Sequence, residues 1–69
     1  MTILRVGDRG PDVRAAQAEL KARGYYAGLI DGRFNEGLSV AVDEFHENNR
    51  LPVNGSITGA TLAALGIGT

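Results

Sequence analysis

The sequence predicts an all-α fold, a compact three-helix bundle, and three observations point to it. Two separate stretches repeat the helical spacing i, i+3, i+4, i+7: Val13, Ala16, Gln17, Leu20 and then Leu38, Ala41, Val42, Phe45. The pairs Asp31-Gly32 and Asn54-Gly55 each stand a few residues ahead of a helical stretch. Punctuation at the helix ends agrees, with Gly10-Pro11 opening the first stretch and Gly24 closing it.

The first helix is expected over Pro11 to Arg23. Proline suits a first turn, where its missing N–H costs nothing, and Asp12 favours the positive end of the helix dipole. Arg14, Glu19, Lys21 and Arg23 fall mainly on the opposite face from the apolar stripe, and Gly24 supplies a left-handed stop. "YYAGLIDGRF" then reads as a loop, with Gly28 and Gly32 expected at positive φ and Asp31 accepting from backbone just beyond it. The second helix is expected from Asn35 or Glu36 to Asn49, weakened in its first turn by Gly37. "RLPVNGSI" breaks that helix, with Leu51 and Val53 expected as core anchors. A short third helix over Gly59 to Leu65 follows, with Thr58 as its N-cap and Leu62 and Leu65 inward.

The two Gly-containing turns are one device written twice. Ile30-Asp31-Gly32-Arg33-Phe34 and Val53-Asn54-Gly55-Ser56-Ile57 both read apolar, Asp/Asn, Gly, polar, apolar, followed by a polar residue (Asn35 or Thr58). Asp-Gly and Asn-Gly tolerate positive φ at low cost, so each turn reverses the chain and starts a helix while its flanking apolar residues plug into one core.

Composition bounds the function. A chain of 69 residues makes one domain at most and buries only about 60% of the surface its unfolded form exposes. The domain is expected to span 1–69, with a core of about 4–65 and residues 66–69 beginning a linker. There is no cysteine and only one histidine, so neither a disulfide framework nor a metal site is expected. The net charge of −1 argues against nucleic acid, which needs a basic surface. No stretch approaches the ~20 apolar residues of a membrane span, and a monomer is expected. Charge is uneven: Met1 to Arg33 carries six Lys/Arg against four carboxylates, and Phe34 to Thr69 one against four. Such polarity is usual for solvated helix faces, and it also suits a ligand bearing both ammonium and carboxylate groups.

Taken in order, "LRVGDRGPDV", Gln17 and Leu20, "GYY" at Gly24 to Tyr26, "IDGRF", Ala41, Val42 and Phe45, "LPVNG", and Thr61 with Leu65 resemble the peptidoglycan-binding domain of the three-helix type. The resemblance covers about Leu4 to Leu65. It departs from the family pattern at Ala16, at Asn35-Glu36 in place of Gly-Pro, and at Leu38, His46 and Leu62. The resemblance implies a non-catalytic module that tethers an attached hydrolase or particle to bacterial peptidoglycan, through its glycan strand or its stem peptide. It implies action at the cell wall or periplasm. "MTILRVGDRG" lacks the apolar core of a secretory signal, so the expected setting is a phage endolysin, with a host enzyme whose leader has been removed as the next choice. The alternative is a protein-interaction, adaptor or pro-segment module that never meets the wall.

Nothing in the sequence assembles a catalytic set. Ser39, Asp43 and His46 share one helix and cannot form a nucleophile, base and orienter in line. Asp31 and Glu36 both stand in a capping context rather than across a cleft. No cofactor is expected. For binding, one of the adjacent tyrosines Tyr25 and Tyr26 is expected in the core and the other partly exposed, ready to lie on a sugar ring or a stem-peptide methyl. Arg33, carried on the rigid Asp-Gly turn, is expected to grip a stem carboxylate. Asn35, His46 and Asn49 extend that polar patch, His46 being expected as an exposed or half-buried helix residue. Gln17 is expected inside, bonded to loop backbone, while Asp31, Gly32, Asn54 and Gly55 serve the turns.

Overall fold

The computed structural model describes residues 3–67. Three helices follow one another, α1 (Pro11–Ala22), α2 (Glu36–Asn48) and α3 (Gly59–Leu65), and α1 packs against both of the others. The described residues form no strand, only two isolated antiparallel bridges. Capping sets the helix starts. Asn35 Oδ1 accepts from Leu38 N at 2.8 Å and opens α2. Thr58 and Thr61 form a reciprocal capping box at α3, an arrangement in which a threonine takes the place usual for Glu or Gln. The α1 start has no side-chain cap.

All three helices stop by one backbone motif. The residues turning left-handed are Gly24, Arg50 and Gly66, and the next residue's N–H reaches back into the last turn: Tyr25 to Leu20 O, Leu51 to His46 O, Ile67 to Leu62 O. Arg50 does this without glycine's freedom, at a φ of 58°. Ile67 packs against the core, so the packed body reaches at least that far. Gly68 and Thr69, expected to begin a linker, lie outside the described residues.

The core is built from Val13, Leu20, Leu38, Phe45, Ile57 and Leu65, each at most 2% exposed, with smaller residues filling between them. Burying each large apolar side chain contributes about 1.5–3 kcal/mol. The doubled turn contributes unequally to this core. Phe34 and Ile57, after each Gly, are buried, whereas Ile30 and Val53, before each Asx residue, are 40% and 57% exposed. The expectation that both flanks of each turn plug inward, with Val53 as an anchor, is corrected. Only the residue after the turn does so, and Leu51 and Leu62 are half-buried.

The reason lies in the N-terminal segment, which runs past both turns and pins the inward residue of each. Leu4 and Ile57 exchange both backbone hydrogen bonds, at 2.8 and 2.7 Å. Phe34 N–H donates to Asp8 O at 2.8 Å, and its carbonyl accepts from Gly7 N at 3.0 Å. Residues 4–10 are thus a strap across the bundle rather than a loose leader into α1.

Each turn carries the expected Asx geometry, with Asp31 Oδ1 accepting from Arg33 N and Asn54 Oδ1 from Ser56 N, both at 3.0 Å. Gly32 and Gly55 have φ of 77° and 69°. Gly28, expected at positive φ, is not among the positive-φ glycines; its constraint is space, because an added Cβ would lie 2.5 Å from the Tyr26 hydroxyl. Replacing Gly32 by valine is expected to cost about 2 kcal/mol, since the left-handed backbone costs about 1–2 kcal/mol and is worse for a β-branched residue, while the new Cβ would meet Gly10 O only at an ordinary contact distance of 3.4 Å. The Gly55→Val loss should be at least as large, because the added Cβ there would lie 3.1 Å from the Ser39 hydroxyl, which itself donates to Gly55 O. Thermal denaturation of both variants checks the order.

Candidate functional site

A shallow, open groove lies where the first turn meets the start of α1. It encloses about 510 Å³ and is lined by Arg9, Gly10, Arg14, Asp31, Gly32 and Arg33, among others. An adjoining depression of about 380 Å³ shares Arg9 and Arg33 and is floored by Gly7 and Phe34. Three arginines therefore line one groove. All three arginines are exposed, and none is ion-paired among the described residues, where the pair that forms joins Arg23 to Glu19.

The groove wall is fixed by Gln17, which is fully buried. Its Oε1 accepts from Asp31 N at 3.0 Å and Gly32 N at 2.8 Å. Its Nε2 donates to Arg33 O at 2.8 Å and to Asp31 Oδ1 at 3.1 Å, with a longer contact to the Tyr26 hydroxyl. This is the internal role expected for Gln17. A further bond from Gly10 N to Gly32 O at 3.0 Å closes the strap onto the turn. Arg33 thus stands on backbone held from two sides, which lowers the entropy lost when its side chain engages a ligand.

Asp31 is exposed, and both of its bonds fall on Oδ1. The Arg33 backbone N–H and the Gln17 amide, with the Arg33 charge adding to them, hold its carboxyl below the usual range. Its Oδ2 has no hydrogen-bond partner among the described residues.

The other expected site residues divide into three groups. Asn35 lies at this end of the molecule, but its amide is committed: Oδ1 caps α2, and Nδ2 donates to the Tyr26 hydroxyl at 3.1 Å. Tyr25 and Asn49 belong to the opposite end. Tyr25 follows the last turn of α1, half-buried, with its ring edge-on to Phe45 at 5.6 Å and its hydroxyl accepting from Asn48 Nδ2 at 2.9 Å. Asn49 donates back to Phe45 O at 2.8 Å. Twelve helical residues at 1.5 Å each put this end about 18 Å from the groove.

Tyr26 and His46 form the third group, and the structure removes both from the surface. Tyr26 is 5% exposed, its hydroxyl donating to Leu29 O at 2.7 Å, and so it is the core member of the tyrosine pair. His46 is 1% exposed, packed between α2 and α3 with Nε2 2.7 Å from Thr61 Oγ1. Its expected exposure is corrected, and the cause is its place on the stripe, four residues after Val42 and eight after Leu38. Its Nδ1 is buried with no hydrogen bond of good geometry among the described residues, and burial pushes the ring's pKa below its ordinary value despite the opposing pull of Asp43 and of the Pro52 backbone.

That shift has a direction in pH. A histidine whose folded pKa is depressed leaves stability untouched above its unfolded value near 6.5, and the fold loses stability as pH falls below it, because the unfolded chain takes up the proton first. The thermal midpoint is expected to drop between pH 7 and 5, and His46→Gln, which keeps a donor toward Thr61, is expected to flatten that part of the profile. An unchanged slope in the variant would show that another group carries it.

Arg9 and Arg14 were not singled out in the sequence, since they stand 24 and 19 positions from Arg33 and share no periodicity with it. Ser39 and Asp43, dismissed as catalytic, have a structural task instead. Asp43 Oδ1 accepts from Gly55 N at 2.7 Å and Ser39 Oγ donates to Gly55 O at 3.3 Å, so α2 holds the second turn as Gln17 on α1 holds the first. Among the described residues no three His, Cys, Asp or Glu side chains gather to hold a metal ion, and no helix is long and apolar enough to cross a membrane.

Residues 9–65 match the family model of the peptidoglycan binding domain. The chain belongs to that family. As a member it is a wall-binding module and not a catalytic domain. A spore cortex-lytic enzyme of Bacillus cereus is 40% identical over 53 residues, which make up 77% of this chain and 20% of that protein. The chain therefore spans about a fifth of the length of the curated relatives it matches. Among solved structures, the SleB N-terminal domain superposes with a TM-score of 0.88 at 36% identity, over 93% of this chain and 88% of that one. A peptidoglycan-binding protein from Clostridioides difficile, solved in complex with glutamine hydroxamate, gives a TM-score of 0.87 at 37% identity, over 94% of this chain and 40% of the other. The peptidoglycan-binding fold is thus shared with both, including the three-helix order.

Proposed function

We propose that this peptidoglycan-binding domain tethers an attached cell-wall hydrolase, or a particle, to the wall and makes its contact through the stem peptide. The observation that supports the stem over the glycan is the groove at the first turn, where Arg33 stands with two further arginines, three cations against the one carboxylate of Asp31, and none of them is ion-paired among the described residues. A sugar platform calls for an open aromatic face. Tyr25 is half-buried, perpendicular to the Phe45 ring and bonded through its hydroxyl to Asn48, so only part of its ring is open, which leaves it the lesser candidate beside Arg33. Residues 1–69 act as one domain in this reading. The attached partner is a lytic enzyme of the kind to which the relatives belong, a spore cortex-lytic enzyme, or a phage endolysin. The site of action is the cell wall or periplasm.

Tethering needs only weak contact. A short flexible linker gives an attached catalytic domain an effective concentration of about millimolar at the surface. One bidentate arginine–carboxylate pair contributes about 1.5–3 kcal/mol, and repeated stems along a sacculus multiply the chances of rebinding. Cosedimentation of the domain with insoluble sacculi, with chitin as control, tests the proposal. Retention on sacculi alone is expected. A folded domain left in the supernatant with both polymers would overturn it in favour of an adaptor that meets another protein.

A further inference from the structure

The groove contains more than a carboxylate clamp. Arg9, Arg14 and Arg33 reach it from three places in the chain, the strap, the first turn of α1 and the Asp-Gly turn, and one carboxylate, Asp31, stands on the same lining. Asp31 is not consumed by its cationic neighbours: no ion pair joins it to them. Its Oδ1 is occupied by the Arg33 backbone N–H and the Gln17 amide, while Oδ2 is open to solvent chemistry. A ligand that only presented a carboxylate would leave that Oδ2 facing its own negative charge. A ligand with an ammonium beside the carboxylate would satisfy both.

We propose that the groove bounded by Arg9, Arg14, Asp31 and Arg33 seats a free α-amino-acid head group, its carboxylate on the guanidiniums and its ammonium on Asp31 Oδ2. This rests on the wall-tethering reading and names the part of the stem that is read. The chemical class is a stem residue whose side chain ends in an unlinked amino-acid centre, as a diamino dicarboxylic acid does. A lysine in that position offers ammonium without carboxylate, and an amidated diamino acid offers ammonium with a neutral amide. A centre whose amino group is already cross-linked offers no ammonium. The groove therefore favours uncross-linked, unamidated wall. Fixed geometry supports this selectivity, because Gln17 and the Gly10–Gly32 bond hold the backbone under both Asp31 and Arg33.

The test is an NMR shift titration of the ¹⁵N-labelled domain with three disaccharide-peptide fragments of the wall. They carry diaminopimelate, the same residue amidated at its free carboxylate, or lysine at the same position; free diaminopimelate is the fourth probe. The diaminopimelate fragment is expected to shift Gly10, Gly32 and Arg33, with the amidated and lysine fragments at least about tenfold weaker, the worth of one charge-assisted contact. Free diaminopimelate should shift the same residues, since the head group is what is read. Arg14→Ala is expected to weaken the first fragment about tenfold and reduce the amidation preference. Asp31→Asn keeps the turn acceptor but removes the charge that meets the ammonium, so it should weaken the diaminopimelate fragment about tenfold, with a retained cooperative thermal transition showing that the turn is intact. Equal binding of all three fragments, or shifts confined to the Tyr25 end, would overturn the head-group assignment. If the fragments fail while sacculi still retain the domain, the assignment falls and tethering stands; if sacculi also fail, both fall.

Discussion

Gln17→Leu is expected to lower the thermal midpoint of the domain by about 12–25 °C, at roughly 4–8 °C per kcal/mol for a domain this small. Leucine fills a similar volume, so the loss would not come from a cavity. It would come from the Asp31 and Gly32 N–H groups and the Arg33 carbonyl, all of which bond to Gln17 and to no other group in the first turn's interior. An unpaired buried polar group costs about 1–3 kcal/mol, and three partly or fully buried ones together cost about 3 kcal/mol or more. That is a large share of the stability of a 69-residue chain without disulfides. Gln17→Glu separates the two halves of the amide. Its carboxylate still accepts from the two N–H groups, but it loses both donors and faces Asp31 and the Arg33 carbonyl. Its loss should be intermediate at pH 7 and partly relieved on acidification, as protonation restores one donor. A leucine variant within about 1 kcal/mol of wild type would mean that the turn holds itself and Gln17 merely fills space.

Phe45→Ala is the other change of comparable size. Phe45 is 1% exposed at the centre of the core. Tyr25 meets its ring edge-on, and the Arg23 guanidinium lies 5.9 Å from its centroid. Truncating a buried phenylalanine to alanine costs about 3–5 kcal/mol through lost transfer energy and the cavity left behind, and the edge-on aromatic pair adds about 0.5–1.5 kcal/mol. The variant is expected to be largely unfolded at 37 °C by far-UV circular dichroism. A cooperative transition less than about 5 °C below wild type would show that the core closes around the gap, against the packing described here.

The sequence made the helices legible because local chemistry decides them. Gly10-Pro11, Asn35, Thr58 and Gly24 mark boundaries by their own backbone demands, and the boundaries fall within a residue or two of the expected ones. Gln17 was legible as an interior residue because a polar side chain on an apolar stripe needs a partner, and the nearby loop had N–H groups to offer. The strap was not legible. Its hydrogen bonds pair Leu4 with Ile57 across the whole chain, and nothing local records such a pairing. The same blindness exposed Val53 and Ile30, since turn chemistry fixes the reversal but not which flank faces inward. His46 could have been placed: it continues the spacing of Leu38 and Val42, and polarity alone argued for the surface. Neighbouring tyrosines announce that one must be buried without saying which, and here the Tyr26 hydroxyl has Leu29, Gln17 and Asn35 as partners. The groove was half legible. Arg33 was visible on its turn, but Arg9 and Arg14 join it only through the fold.

Paired sedimentation with sacculi separates a wall held at the arginine groove from a wall held at the tyrosine end most directly. Arg33→Ala and Tyr25→Ala would be compared with wild type at equal protein and moderate salt, each first checked for a native thermal transition. Arg33→Ala is expected to release most of the bound protein, about a tenfold loss in apparent affinity, with Tyr25→Ala remaining within about twofold of wild type. Release by Tyr25→Ala with Arg33→Ala still bound would contradict a wall held at the groove and move the contact to the opposite end of α1.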